Sequence, residues 1–185
     1  MKSSLLLFLL ISFQVFAEEL AEPYISEGAC PFEGCKYGKW HVQKETNVYL
    51  NPDKKSKTIG LLKPDRSITA LTGNVHVYAG IAKIIGEPYM ESKKLKSDQL
   101  VYILDYVGEG FTRIYQNGDF FITVIATSKN ECEKLFGWSV IDWRACWVEV
   151  IKEPESFWWV KIKFNNSVGW VLIENENIKP IDTRS

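Results

Sequence analysis

Four cysteines and two histidines are the residues of this chain best able to do chemistry, and their spacing favours structure over catalysis. His41 follows Cys35 closely, which would suit a thiol nucleophile with an imidazole base, but such a nucleophile must be a free thiolate. Cys30 and Cys35 bracket the run C-P-F-E-G-C, where Pro31 and Gly34 favour a compact loop that closes on itself. Cys132 and Cys146 would then form a second bridge, although four cysteines allow three connectivities. A four-thiolate zinc site would want tight C-x2-C pairs, which this chain lacks, and two histidines without H-E-x-x-H spacing make a poor metal site. Neither a metal nor any other cofactor is expected. Gly108-Glu109-Gly110 lacks the further glycine and the following helix of a phosphate-binding loop. The carboxylates Glu109, Asp142, Glu149, Glu153 and Glu155 leave a paired-carboxylate hydrolase as the alternative chemistry.

The compartment supports the disulfide reading. Lys2, the apolar run Leu5 to Phe16 and the small-residue site ending at Ala17 form the pattern of a cleavable secretory signal, residues 1–17. That run is shorter than the roughly 18 or more apolar residues of a membrane-spanning helix, and no later stretch comes closer. An exported chain, periplasmic or extracellular, with no membrane span after signal removal is the expectation. The whole sequence carries 22 Lys and Arg against 23 Asp and Glu, so nothing in its charge points to nucleic acid.

The elements that must position any site read as strands throughout, an all-β protein. Val160, Ile162 and Phe164 alternate with Lys161 and Lys163, and Asn165-Asn166-Ser167 follow as a turn before a second β-rich run, Val168 to Ile173. Residues 18–35 read as an extended lead-in with the disulfide loop, residues 75–98 as an insertion and residues 181–185 as a tail. Lys54, Lys55 and Lys57 read as a solvated face. Glu131 to Phe136 allows a helical turn or two. Phe111, Arg113, Ile114 and Asn117 match Trp159, Lys161, Ile162 and Asn165 at a constant offset of 48 residues. That repeat suggests two copies of one small barrel, residues 36–121 and 122–180, with a single elaborated barrel as the alternative.

Certain runs resemble a known family. Asn47-Val48-Tyr49-Leu50-Asn51-Pro52, then Ile59-Gly60-Leu61-Leu62, then Trp159-Val160-Lys161-Ile162-Lys163 and Gly169-Trp170-Val171 resemble the opening half and closing hairpin of exported bacterial SH3-like (SH3b) domains. Tyr49 stands where the family usually has Arg, and Pro64-Asp65 near its usual Gly. The resemblance implies small SH3-like barrels and a non-catalytic binding module of the bacterial cell envelope, recognising a peptide, a cell-wall component or an envelope protein; the alternative is a periplasmic enzyme or enzyme inhibitor. A monomer is expected. By alternation Trp159 shares a face with Lys161 and Lys163, opposite Val160 and Ile162, which makes it the candidate surface aromatic. Trp170 and Tyr49 complete the candidate binding set.

Overall fold

The computed structural model describes residues 20–33, 35–87, 95–130 and 146–180. Within them the chain is all-β, with thirteen strands and no helix. In chain order these are β1 (Tyr24–Glu27), β2 (Gly38–Val42), β3 (Thr46–Tyr49), β4 (Thr58–Leu62), β5 (Ser67–Tyr78), β6 (Gly80–Ile84) and β7 (Leu100–Gly108). There follow β8 (Phe111–Gln116), β9 (Asp119–Thr123), β10 (Val148–Lys152), β11 (Glu155–Phe164), β12 (Ser167–Ile173) and β13 (Ile178–Pro180). No helix among the described residues is long and apolar enough to cross a membrane.

The strands make two antiparallel sheets. The first runs β13-β2-β5-β11-β12-β3-β4, with β1 also on β5; the second runs β10-β6-β7-β8-β9. At 12 and 10 residues, β5 and β11 are the longest strands, and they pair along nearly their whole length, from Glu155↔Tyr78 to Lys163↔Thr69. The other edge of β5 is shared end to end: β2 takes Ser67 to Ala70 and β1 takes Asn74 to Val77. Alternation along β11 sends Trp158, Val160 and Ile162 into the core of this sheet with Trp40, Val75 and Val171. Two glycines of the family-like runs make that packing possible. A Cβ on Gly169 would lie 2.5 Å from Val48 Cγ1, and one on Gly60 would lie 2.6 Å from Phe164, so each absent side chain leaves room for a neighbour's. Buried Asn177 donates to Leu172 O at 2.9 Å and accepts from Glu174 N at 3.0 Å, closing the turn into β13.

The two sheets are joined by one continuous ribbon. β5 passes through Ala79 into β6, β10 passes through Glu153-Pro154 into β11, and β6 pairs with β10 just as β5 pairs with β11. At the crossing, a Cβ on Gly80 would stand 2.7 Å from Pro154 Cδ and 2.9 Å from Lys152 O, so the close approach admits only glycine. The second sheet has its own core, built on Ile84, Val101, Ile103, Ile114 and Val148.

The all-β class therefore stands, and the partition of the chain is corrected. The first sheet draws on residues 24–78 and 155–180 together, while residues 80–123 and 148–152 form the second. A boundary between 121 and 122 would cut through β9. Residues 75–78 are the end of β5, so they are not part of an insertion; residues 80–84 are a strand of the second sheet, and part of the expected lead-in is the strand β1. The 48-residue repeat marks a hairpin in each sheet. Ile114 and Ile162 are both fully buried, and the two turns use left-handed residues, Asn117-Gly118 (φ 50° and 90°) and Asn165-Asn166 (φ 43° and 61°). Cys30 and Cys35 are disulfide-bonded, and Cys146 is disulfide-bonded as well; Cys132 and the expected helical turn at Glu131 to Phe136 lie outside the described residues. With Cys30, Cys35 and Cys146 oxidised, four thiolates are not available for a zinc site.

The strand register makes a direct prediction. Ile162→Ala should destabilise the fold by about 2–5 kcal/mol through lost burial and the cavity left behind. Lys161→Ala, on the other face, should cost far less. Equal shifts of the two urea midpoints would contradict the register.

Candidate functional site

The face of the first sheet turned away from its core is crossed by three rows of paired residues. Ile25, His76 and Phe157 form one row across β1, β5 and β11. Asn74, Trp159 and Leu172 form the next, and Thr72, Lys161, Trp170 and Tyr49 the third, reaching β3 through β12. A groove of about 600 Å³ lies along the first row and reaches Trp159 of the second. Its floor is His76, Tyr78, Phe157 and Trp159, one wall is Pro23 and Ile25, and the other is the Pro52–Lys55 part of the loop between β3 and β4, with Glu155 also on the lining.

That loop is a built wall. Leu50 N donates to Lys57 O at 2.9 Å, closing its neck; Ser56 N donates to Asp53 O at 2.9 Å, and Lys55 N to Asp53 Oδ1 at 2.8 Å. The last is the local side-chain-to-backbone bond by which Asp stabilises turns. Lys54 Nζ lies 5.5 Å from the Phe157 ring centroid and 3.4 Å from Glu174 Oε2, tying the loop to the sheet at two points. Both partners of the ion pair are about half exposed, so its role is to position the loop more than to stabilise the fold.

The floor is packed aromatic against aromatic. Tyr49 meets Trp159 edge to face at 5.5 Å, His76 lies 6.3 Å from Trp159, and Tyr78 meets Phe157 edge to face at 5.9 Å. Trp159 is only 3% exposed, which corrects the expectation of a surface ring. Alternation placed it on the right face; Tyr49, His76 and neighbours that pack around it then cover it, and its role is to hold the floor in place. Phe157 is half-buried and Tyr78 exposed, and these are the rings a ligand can reach.

His76 is buried, and its Nε2 has no hydrogen-bond partner. Burial pushes its pKa below the ordinary histidine value, more strongly than the Asp53 carboxylate raises it, so the imidazole is held neutral. The chemistry available here is apolar contact and ring stacking beside two lysines and two carboxylates, Asp53 and Glu155.

Of the residues expected to bind, the structure brings Tyr49, Trp159, Lys161 and Trp170 into one patch, with Lys161 Nζ 5.7 Å from the Trp170 ring. Lys163 lies apart, beside a separate depression lined by Leu61, Arg66 and Phe164. Tyr78 and Phe157 escaped the sequence reading, which weighed His76 only as one of two histidines for a metal, although Phe157 shares the parity of Trp159, and Asn74, His76 and Tyr78 share one parity of their own. Among the alternative's carboxylates, Glu155 lines the groove, Glu153 accepts from Lys129 N at 3.0 Å, and Asp142 lies outside the described residues. No group of three or more His, Cys, Asp or Glu able to hold a metal occurs among the described residues. Comparison with family models, with curated proteins and with solved structures finds no match. The fold and site together define an all-β protein of two ribbon-linked sheets with an aromatic groove.

His76 gives the fold a pH dependence of known sign. Its pKa is lower in the folded than in the unfolded chain, so below about 6.5 the unfolded chain takes up more protons and stability falls, while above that value the contribution is flat. The urea midpoint should therefore drop further between pH 7.5 and pH 5 for the wild type than for His76→Leu. Parallel pH profiles would remove His76 as the source.

Proposed function

We propose that the protein is a non-catalytic binding module exported to the cell envelope, and that the groove on its first sheet grips an extended peptide segment of a cell-wall or protein partner. The carrying observation is the groove itself: Tyr78 and Phe157 present reachable rings between the Pro23–Ile25 edge and a pre-formed lysine-bearing loop. A preorganised aromatic floor binds apolar side chains at little ordering cost, and a long groove suits an extended chain. The SH3-like reading is supported by the placement of its motifs: the runs at Asn47–Pro52, Ile59–Leu62, Trp159–Lys163 and Gly169–Val171 map to β3, β4, β11 and β12, which with β5 lie side by side in one sheet.

Binding is tested by recovering partners from an envelope fraction and titrating the wild type and two variants against what is recovered. Tyr78→Ala should weaken binding by about fivefold or more, equivalent to about 1 kcal/mol, with its unfolding midpoint nearly unchanged. Trp159→Ala should instead lose about 3 kcal/mol of stability, because its ring is packed and not displayed. Undiminished binding by a folded Tyr78→Ala protein would reject the groove as the site.

Export is supported by the signal-like start, by the Cys30–Cys35 disulfide and by the bonded Cys146. Native exported material should begin near Glu18, and its intact mass should fall about four hydrogens short of the fully reduced value, two for each bridge. Recovery of alkylatable thiols from native material would count against it.

A further inference from the structure

A second depression lies directly beside the groove. It measures about 380 Å³, and its lining includes Leu20, Pro23, Tyr24, Ile25, Tyr115 and Phe120; none of its lining residues among the described ones is charged. Tyr115 and Phe120 belong to the second sheet, and Phe120 is 52% exposed. Pro23 and Ile25 line both hollows, so one ridge, the start of β1, stands between them. That ridge is fixed from both sides. Ile25 is registered opposite His76 of the first sheet. Towards the second sheet, the Tyr24 ring packs on Phe120 with centroids 5.8 Å apart, and the Tyr24 hydroxyl accepts a hydrogen bond from Arg113 Nη1. The same nitrogen donates to both carboxylate oxygens of Asp105, at 3.1 and 3.2 Å, and the Asp105 side chain is only 4% exposed. Breaking that pair would strand a buried carboxylate, so Arg113 is held in place and Tyr24 with it.

We infer that the groove and this depression form one two-pocket site, whose ligand is an extended peptide carrying two bulky apolar side chains. One side chain sits on the Tyr78–Phe157 floor and the other against Phe120 and Tyr115. The inference rests on the groove reading above and adds a requirement on the ligand. Phe157 stands two strands from Ile25, about 10 Å at the spacing of a sheet, and the Phe120 ring lies beyond the ridge. The path from anchor to anchor is therefore about 15 Å, roughly four or five residues of extended chain. Because the ridge is pinned to both sheets, this spacing is set before any ligand arrives. A peptide whose two anchors match it places the second at high effective concentration once the first is bound, while a peptide of another spacing gains one contact alone. The charged lining residues, Asp53, Lys54, Lys55 and Glu155, all stand on the groove side, so polar groups of the peptide belong there and the second anchor is uncharged.

A random dodecapeptide library displayed on phage and selected against the purified protein supplies the probe. The selected sequences should share two aromatic or large aliphatic residues about four or five positions apart. One of them, made as a synthetic peptide, should lose at least about tenfold in affinity when either anchor is replaced by glycine. Phe120→Ala should weaken the intact peptide by about fivefold or more, yet leave unchanged the affinity of the peptide that lacks the matching anchor, the mark of a direct contact. The wild type gives a readout that needs no variant: ring-proton resonances of Phe120 and Tyr115 should shift when the intact peptide is added. Selected peptides with a single anchor, unshifted Phe120 and Tyr115 rings, or binding weakened by Tyr78→Ala but not by a folded Phe120→Ala would each overturn the inference and leave the groove reading standing. A library that yields no binder, or binders indifferent to both variants, would reject the groove itself and the two-pocket site with it.

Discussion

The β5–β11 ladder is the interaction on which everything else in this structure rests. Its nine registered pairs supply the middle of the first sheet, and its continuation as β6–β10 supplies one end of the second. Both strands of the ribbon cross between the sheets, so two chain segments tie the sheets together at one junction. The crossing tolerates no side chain at Gly80, where proline and backbone atoms of the opposing strand already fill the space. A second tie joins the disulfide loop to the second sheet. Glu33, within the Cys30–Cys35 loop, accepts hydrogen bonds from the Tyr106 hydroxyl and, at 2.6 Å, from Glu109 N, which fastens the loop to the β7–β8 hairpin.

The groove is a by-product of burying both faces of β11. On the core side, Trp158 packs edge to face on Trp40 at 5.4 Å; on the outer side, Trp159 packs among Tyr49 and His76. A strand loaded with large rings on both faces needs cover on both, and the β3–β4 loop provides a wall without closing over Phe157 and Tyr78. The unpartnered Nε2 of His76 is a cost of that arrangement, since burying an imidazole nitrogen without a hydrogen bond is unfavourable.

How much of this was legible depends on how local the cause is. The hairpin from Phe157 to Ile173 could be read because Val160 and Ile162 alternate with lysines and the asparagines tolerate left-handed turns, signals carried by adjacent residues. Trp159 shows the boundary: alternation reports which face a residue occupies, while exposure depends on what lies over that face. Here the covering came from Tyr49 and His76, and the groove wall from a lysine-rich loop whose composition reads as solvated. The division into sheets was harder still. Pairing Trp158 with Val75 joins residues separated by more than 80 positions, and nothing near either residue records it. The repeat at 48 residues was real, yet a hairpin is the smallest unit that such a short match can specify, and a hairpin in each sheet is what it marks.

The ribbon also dictates an order of events when the chain is made. A chain emerging from its amino end completes β5 long before β11 exists, so the inner edge of the longest strand stays without its partner while the whole second sheet is laid down. Structures dominated by such distant pairings fold slowly, and open strand edges invite wrong partners in the meantime. The second sheet, whose strands β6 to β9 follow one another as neighbours, can assemble first and present β6 as the template on which β10 docks. β10 leads through Pro154 directly into β11, so the last long strand of the first sheet is delivered to β5 at the crossing between the sheets.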